Sequence, residues 1–487
     1  MAKVVTRFAP SPTGFMHIGG VRTALFAWLW ARKNNGTFIL RIEDTDQKRE
    51  VEGSIAHIQE SLHWLNIDWD YGPDAQGPFG SCIQSERLES YKAAARQLID
   101  TGFAYPDPYT AEQLDAMRKE AEAAKKPFLF REHRPETFDA WDGTRSLRFK
   151  VPEIKKYSWH DEVRGDLSAG EEALDDFILI KADGYPTYNF AHIIDDTAMG
   201  VTHIMRGDEF ISSTPRFLSL YDALGVTYPA FVTLPPILRD DKTKKLGKRD
   251  GAKDILEYRN EGYLQDAMRN FLAFIGWNPG TEQELFSNEE LLQAFDITKI
   301  QTHGGVFNEE KLRWYNREYL LKMSEDEFAT DMMEHLHAAL NRKNITWDEP
   351  VARALVPLMR ERVSVWSDID QLAGDGELDF FFADPTPNTL EIAQKNSTPE
   401  IAQKHLTELI KLLENLPEDA YKSPESVKAA IWPYAEAEGR GAVLWPFRYS
   451  LSGRAKSPDP FLIASIIGKD AAVRRVKKAL ELLGAKG

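Results

Sequence analysis

The feature that most constrains this chain lies in residues 4–43. Val4-Val5-Thr6-Arg7-Phe8 reads as a short buried strand. Pro10, Pro12 and Gly14 then force an irregular turn. Residues 21–33 follow with Ala24, Leu25, Trp28 and Leu29 at helical spacing, and 37–43 reads as a second strand. Strand, glycine-containing turn, helix, strand is the unit that offers an anion the free N–H groups and dipole of a helix N-terminus. The stretch lacks the G-x-G-x-x-G spacing, and the chain has no G-x-x-x-x-G-K-[ST] loop. Phosphate handling must therefore come from another motif.

That motif is His17-Ile18-Gly19-Gly20, preceded by Arg7-Phe8-Ala9-Pro10-Ser11-Pro12-Thr13-Gly14 and followed by Arg41-Ile42-Glu43-Asp44-Thr45-Asp46. It resembles the "HIGH" signature of class I aminoacyl-tRNA synthetases, in the form typical of the glutamyl subgroup. Lys245-Leu246-Gly247-Lys248-Arg249 resembles the second signature of that class, K-[MLI]-S-K-[RS], with Gly247 in place of the usual serine. That departure removes a hydroxyl from the loop. A lysine-rich loop alone is a weak signal; in this order, on these elements, the pair is specific.

Composition narrows the setting. The chain has 487 residues, 43% of them hydrophobic, enough for about three domains with buried cores. Apolar runs fall well short of the ~20 residues of a membrane span, and the start has no signal-peptide pattern. The single cysteine, Cys82, excludes an intramolecular disulfide and a multi-cysteine zinc cluster. A cytoplasmic protein without membrane contact or structural zinc is expected. A net charge of −16 argues against a generic polyanion binder, but 239–253 holds seven Lys/Arg against three Asp/Glu, a local basic patch.

The expected fold class is α/β: a Rossmann-like class I catalytic core with an inserted acceptor-end domain, followed by an all-helical anticodon-binding region. Residues 1–80 form the first catalytic half, with a helix over 47–66. Residues 81–187 form the insertion, with a charged helix over 110–126 and strand-like stretches at 146–151 and 177–181. Residues 188–255 form the second half, with a strand at 201–206, a helix capped by Ser213 and the basic loop. Beyond 256 strand signals are few, and 256–323, 324–385 and 386–487 read as helical parts, with Pro385-Thr386-Pro387 as the linker.

The resemblance implies an ATP-dependent glutamate–tRNA ligation. A carboxylate attacking the α-phosphate needs alignment and charge compensation rather than a protein nucleophile. His17, Lys245 and Lys248 would be catalytic. Gly14, His17, Gly19, Gly20, Glu209, Lys245, Lys248 and Arg249 would meet ATP, with Mg2+ carried by its phosphates and no protein metal site. Arg7 and Tyr188 would hold the side-chain carboxylate of L-glutamate, Arg206 its α-carboxylate, and Glu43 with Ser11 its α-amino group. His192 would be a further glutamate contact, at a position where the family varies between asparagine and apolar residues. Arg362, in Met359-Arg360-Glu361-Arg362, lines up with an arginine that reads the third anticodon base and favours tRNA-Glu over tRNA-Gln. Arg448 and Arg454 would touch the anticodon arm. A monomer is expected. Other readings remain: an enzyme charging both tRNAs, a small-molecule nucleotidyltransferase with similar chemistry, or a tRNA-binding module without activity. Glutaminyl relatives share the first half, but their anticodon region is β-barrel.

Overall fold

The computed structural model describes residues 3–241, 244–247, 253–394 and 398–484. They fall into two compact units, 1–315 and 316–487.

The first unit begins as the sequence reading expects. Strand β1 (Val5–Phe8) is followed by helix α1 (Ile18–Lys33) and strand β2 (Thr37–Leu40). β2 is buried along its whole length, and β1 at all but its first residue. Arg32 and Lys33 in the last turn of α1 suit the negative end of its dipole. Gly36 is obligatory where α1 turns into β2, since a Cβ there would lie 2.3 Å from the Val4 carbonyl oxygen. Helix α2 (Ser54–Trp64) is shorter than the 47–66 helix expected. Gln47–Arg49 is a single 3-10 turn, and Gly53, at φ +78°, interrupts the backbone before α2 starts.

Next come α3 (Leu88–Asp100), β3 (Ala104–Pro106), α4 (Ala111–Ala123), β4 (Leu147–Phe149), β5 (Tyr157–Asp161), β6 (Gly165–Ala169) and β7 (Ile178–Ile180). β3, β4 and β7 make a separate antiparallel sheet. β5 and β6, although inside the 81–187 stretch, join the main sheet, which among the described residues runs β2-β1-β8-β9-β5-β6. Its remaining strands are β8 (His203–Gly207) and β9 (Ala230–Leu234), preceded by α5 (Tyr188–Ala198) and separated by α6 (Thr214–Leu224). Ser213 does not cap α6. It ends a 3-10 turn over Asp208–Ser213 in right-handed helical geometry, from which no side-chain cap forms.

β10 (Ile237–Leu238), α7 (Ile255–Asn260), α8 (Gln265–Ala273), α9 (Asn288–Ala294), β11 (Gly305–Val306) and α10 (Glu309–Lys322) complete the first unit, the division falling within α10. The described residues beyond it contain no strand. Their helices are α11 (Glu325–Arg342), α12 (Glu349–Ala354), α13 (Val356–Arg362), α14 (Ser367–Gly374), α15 (Asp379–Phe382), α16 (Thr389–Ile392), α17 (Pro399–Asn415), α18 (Pro424–Glu438), α19 (Arg440–Ser452) and α20 (Pro460–Gly484). Buried Arg475 donates to the carbonyls of Phe380 (2.6 Å) and Leu451 (2.8 Å) and to Asp384 (2.9 Å). Asp384 directly precedes Pro385-Thr386-Pro387, so both sides of that expected linker belong to one compact unit. Among the described residues no helix is long and apolar enough to cross a membrane.

Candidate active site

β1 pairs with β2 on one side and with β8 on the other, all parallel. The chain thus leaves β1 in two directions, and the crevice beyond the carboxyl ends of β1 and β8 is where open α/β sheets bind ligands. A cavity of about 350 Å³ lies there, lined by Arg7, Ser11, Glu43, Tyr188, Arg206 and Glu209, among others. A second, of about 440 Å³, shares Ser11, Glu43 and Tyr188 as wall and extends to Asp46, Arg49 and Lys181.

Beneath the crevice runs a buried ion-pair network. Asp196 accepts from Arg7 Nε (3.1 Å) and Arg41 Nη1 (2.6 Å), and Arg41 Nη2 donates to Glu43 (2.9 Å). Arg87 Nε donates to Asp195 (2.7 Å), which also accepts from Tyr91 and Gln84, each at 2.8 Å. Burial works against the charge of Asp196, but Arg41 and Arg7 outweigh it and hold the carboxyl far below the usual range. Burial likewise disfavours the Arg41 cation, and its three carboxylate neighbours more than restore it. At Glu43 burial wins, and its carboxyl sits above the ordinary value despite Arg41.

The network is balanced: Arg7, Arg41 and Arg87 face Glu43, Asp195 and Asp196. Arg206 stands apart. It is buried, its Nη2 donates to Thr214 Oγ1 (2.9 Å), and its Nη1 has no partner. Phe210, Phe217 and Phe231 surround it with ring centroids 5.1 to 5.5 Å from its guanidinium carbon. Burial lowers its proton affinity, yet a guanidinium does not deprotonate in a protein. The cavity therefore keeps one buried cation with no carboxylate paired to it, which is a demand for an anionic ligand.

His192 does not line this cavity. Its Nδ1 donates to the Tyr188 carbonyl (2.7 Å), its ring stacks on Tyr188 (4.7 Å between centroids), and its Nε2 is buried without a partner. Burial pushes its pKa down from 6.5 to about 3, against the pull of Asp196. The folded protein thus keeps it neutral where the unfolded chain takes a proton. Stability should fall as pH drops from 6.5 towards 3, by at most about 5 kcal/mol from this group. Unfolding midpoints measured from pH 7 to 4 should decline more steeply for the wild type than for His192→Asn. The KM for the amino acid should not titrate with His192 between pH 6 and 8.

The His17 turn sits beside the crevice. His17 caps α1: its Nδ1 accepts from the Gly19 N–H (3.0 Å), which leaves the ring proton on Nε2 as a donor. A Cβ at position 19 would come within 2.9 Å of the His17 ring, so Gly19 is needed by the histidine itself, whereas one at position 20 would make only ordinary contacts. Gly14 has φ +148° in the turn before it. Lys245 donates to Glu209 (2.9 Å) and lies 3.7 Å from Asp208, at the carboxyl end of β8. Partial burial opposes the charge of Glu209, but the hydrogen bond from Lys245 holds its carboxyl below the usual value. Lys248 and Arg249 lie outside the described residues.

This geometry, an anion-seeking cavity at the switch point of a class I core, agrees with comparisons to known proteins. Residues 3–314 match the family described as "tRNA synthetases class I (E and Q), catalytic domain", and 320–480 match "Anticodon binding domain". The glutamate–tRNA ligase of Clostridium botulinum is 40% identical over 99% of this chain and 99% of its own. The chain belongs to the glutamate–tRNA ligase family. The ligase of Anaeromyxobacter is 38% identical over 99% of this chain and all of its own. The solved glutamate tRNA ligase of Elizabethkingia meningosepticum, in complex with its amino acid, has a TM-score of 0.88 at 36% identity, over 99% of this chain and 100% of that one. The fold is accordingly the α/β class I core followed by a mostly helical anticodon-binding region.

Within this ligase the sequence reading singled out the cavity residues Arg7, Ser11, Glu43, Tyr188 and Arg206, and the structure brings them together. It passed over Arg41, Arg87, Asp195 and Asp196. Two signals were available: Arg41 alternates with Glu43 at a strand end, and the adjacent Asp195-Asp196 pair closes an otherwise apolar helix face. In the second unit Arg362 pairs with Glu377 at the end of α13. Arg448 donates to the carbonyls of Ala455 (2.8 Å) and Ser457 (3.2 Å), and Arg454 to that of Asp375 (2.9 Å). Both thus brace turns of their own unit.

Proposed function

We propose that the 350 Å³ cavity is the glutamate site of this ligase, and that Arg206 is the cation that anchors it. Arg206 takes the α-carboxylate. Arg7, steadied by Asp196, and Tyr188 take the side-chain carboxylate; Glu43 and Ser11 take the α-ammonium. The observation that carries this reading is the lone buried charge of Arg206 over a balanced network. Glutamate brings a net charge of about −1 and glutamine about 0 at neutral pH, so only glutamate neutralises the site.

The carboxylate of bound glutamate attacks the α-phosphate of ATP, giving glutamyl-adenylate and pyrophosphate. The terminal ribose hydroxyl of the tRNA then takes the acyl group and AMP leaves. His17 Nε2–H donates to phosphate oxygens; Lys245 exchanges Glu209 for the departing pyrophosphate, joined by Lys248. Mg2+ travels with ATP, held largely by its phosphates. The protein works as a cytoplasmic monomer on tRNA-Glu.

We further read it as discriminating. Arg362 leaves Glu377 to pair with the edge of a splayed anticodon base, where a guanidinium fork can bond bidentately. Charging of purified tRNA-Glu and tRNA-Gln with labelled glutamate tests both parts. The wild type should charge tRNA-Glu alone, and Arg362→Gln should narrow the preference by about tenfold or more. Equal charging by the wild type would end the discriminating reading; charging of neither would end the ligase reading.

A further inference from the structure

The turn that carries His17 and the chain beyond the second signature are tied together by a side chain that belongs to neither signature. Met16, next to His17, donates its N–H to His57 Nδ1 (3.3 Å). An accepting Nδ1 puts the ring proton on Nε2, which donates to Asp254 Oδ2 at 2.7 Å. Asp254 also caps α7, its other oxygen accepting from the Leu256 N–H (2.9 Å), and the Ile255 N–H donates to the Met16 carbonyl (3.0 Å).

The joint is braced on each side. Phe15 stacks on the His57 ring with centroids 4.6 Å apart, and Arg259 on α7 meets Glu60 on α2 at 2.8 Å. Lys253, just before Asp254, is held by Glu261 and Glu309, each at 2.9 Å. The other end of the basic loop is pinned to β10 by hydrogen bonds from Leu246 N–H to the Ile237 carbonyl (2.7 Å) and from Arg239 N–H to the Lys244 carbonyl (3.0 Å).

We propose that His57 is a positioning residue for adenylate formation: it references the exit of the basic loop to the turn that carries His17. The proposal rests on reading those two stretches as the ATP-handling parts. Cations that stabilise charge developing on phosphates must be placed before the reaction, and a displacement of about 1 Å can cost on the order of a hundredfold. The Ile255–Met16 backbone bond sets the pairing, while His57 spans from Met16 to the side chain of Asp254, close after the loop. His57 lines neither crevice cavity.

Pyrophosphate exchange with ATP, glutamate and tRNA-Glu, alongside thermal unfolding, tests this. Asp254→Ser keeps a capping oxygen for α7 but is too short and uncharged to hold His57. His57→Ala removes the ring with its bonds to Met16 and Asp254 and its stack on Phe15, and His57→Gln keeps a donor towards Asp254. Asp254→Ser and His57→Ala should each lower kcat by at least about tenfold, with the KM for glutamate unchanged and the unfolding midpoint nearly so. The double variant should be no worse than the poorer single variant, and His57→Gln should recover part of the rate. Wild-type kcat in a folded His57→Ala or Asp254→Ser protein would overturn the proposal. So would losses that multiply in the double variant, or losses seen only in the KM for glutamate. If His57→Ala fails to fold, Asp254→Ser decides. The rate of the unsubstituted protein tests the underlying reading separately.

Discussion

Arg206→Gln should cost about a hundredfold or more in kcat/KM for glutamate, mostly through KM, in pyrophosphate exchange with tRNA-Glu present. Losing a charge-assisted bond to a buried carboxylate is worth about 3 kcal/mol, roughly two factors of ten. The unfolding midpoint should hold or rise. The guanidinium bonds Thr214 Oγ1 through Nη2, and its Nη1 has no partner. Removing a buried charge that lacks a paired carboxylate relieves the empty protein. A drop in stability with unchanged KM would show that Arg206 serves the fold instead.

Asp196→Asn should have the opposite profile, a large loss of stability together with activity. Asp196 is the shared acceptor of Arg7 and Arg41. Neutralising it leaves two buried guanidinium groups facing Glu43 and Asp195, and breaking one partner out of a buried network costs about 3–5 kcal/mol. Arg7 would also lose the carboxylate that orients its fork. The pH dependence has a definite sign. Asp196 has a folded-state pKa held below its unfolded value of 3.8. Its stabilisation is therefore complete above about pH 4 and is lost as pH falls further. The gap in unfolding midpoint between wild type and Asp196→Asn should be full at pH 7 and shrink below about pH 4. A constant gap would mean that packing, not charge, carries the effect.

Much of the catalytic half was legible because local pattern and tertiary fate coincide there. β1 and β2 are short apolar runs that end up buried, and the prolines and Gly14 break the chain where the site must open. The helix over 47–66 was overread because its apolar spacing continues across Gly53, where a left-handed backbone stops it. The cap assigned to Ser213 failed for a related reason: a 3-10 turn runs directly into α6, so no residue in extended geometry precedes the helix. β5 and β6 carry too little pattern to say which sheet they join; that depends on a partner, β9, far along the chain.

By itself the sequence determined the class I architecture, the reaction, and several of the residues that line the crevice cavity. These follow from short motifs whose backbone and side-chain requirements are local. Only the tertiary structure decided that Arg7, Arg41 and Arg87 around the crevice are paired with carboxylates while Arg206 is not. Arg7 and Arg206 look alike along the chain, each at the end of a buried strand. Burial makes every unpaired charge costly, so their roles are set by which carboxylates the fold delivers beside them: Asp196 reaches Arg7, and no carboxylate is paired with Arg206. The His57–Asp254 joint is of the same kind, because a hydrogen bond between residues so distant in sequence exists only once α2 and α7 have packed together.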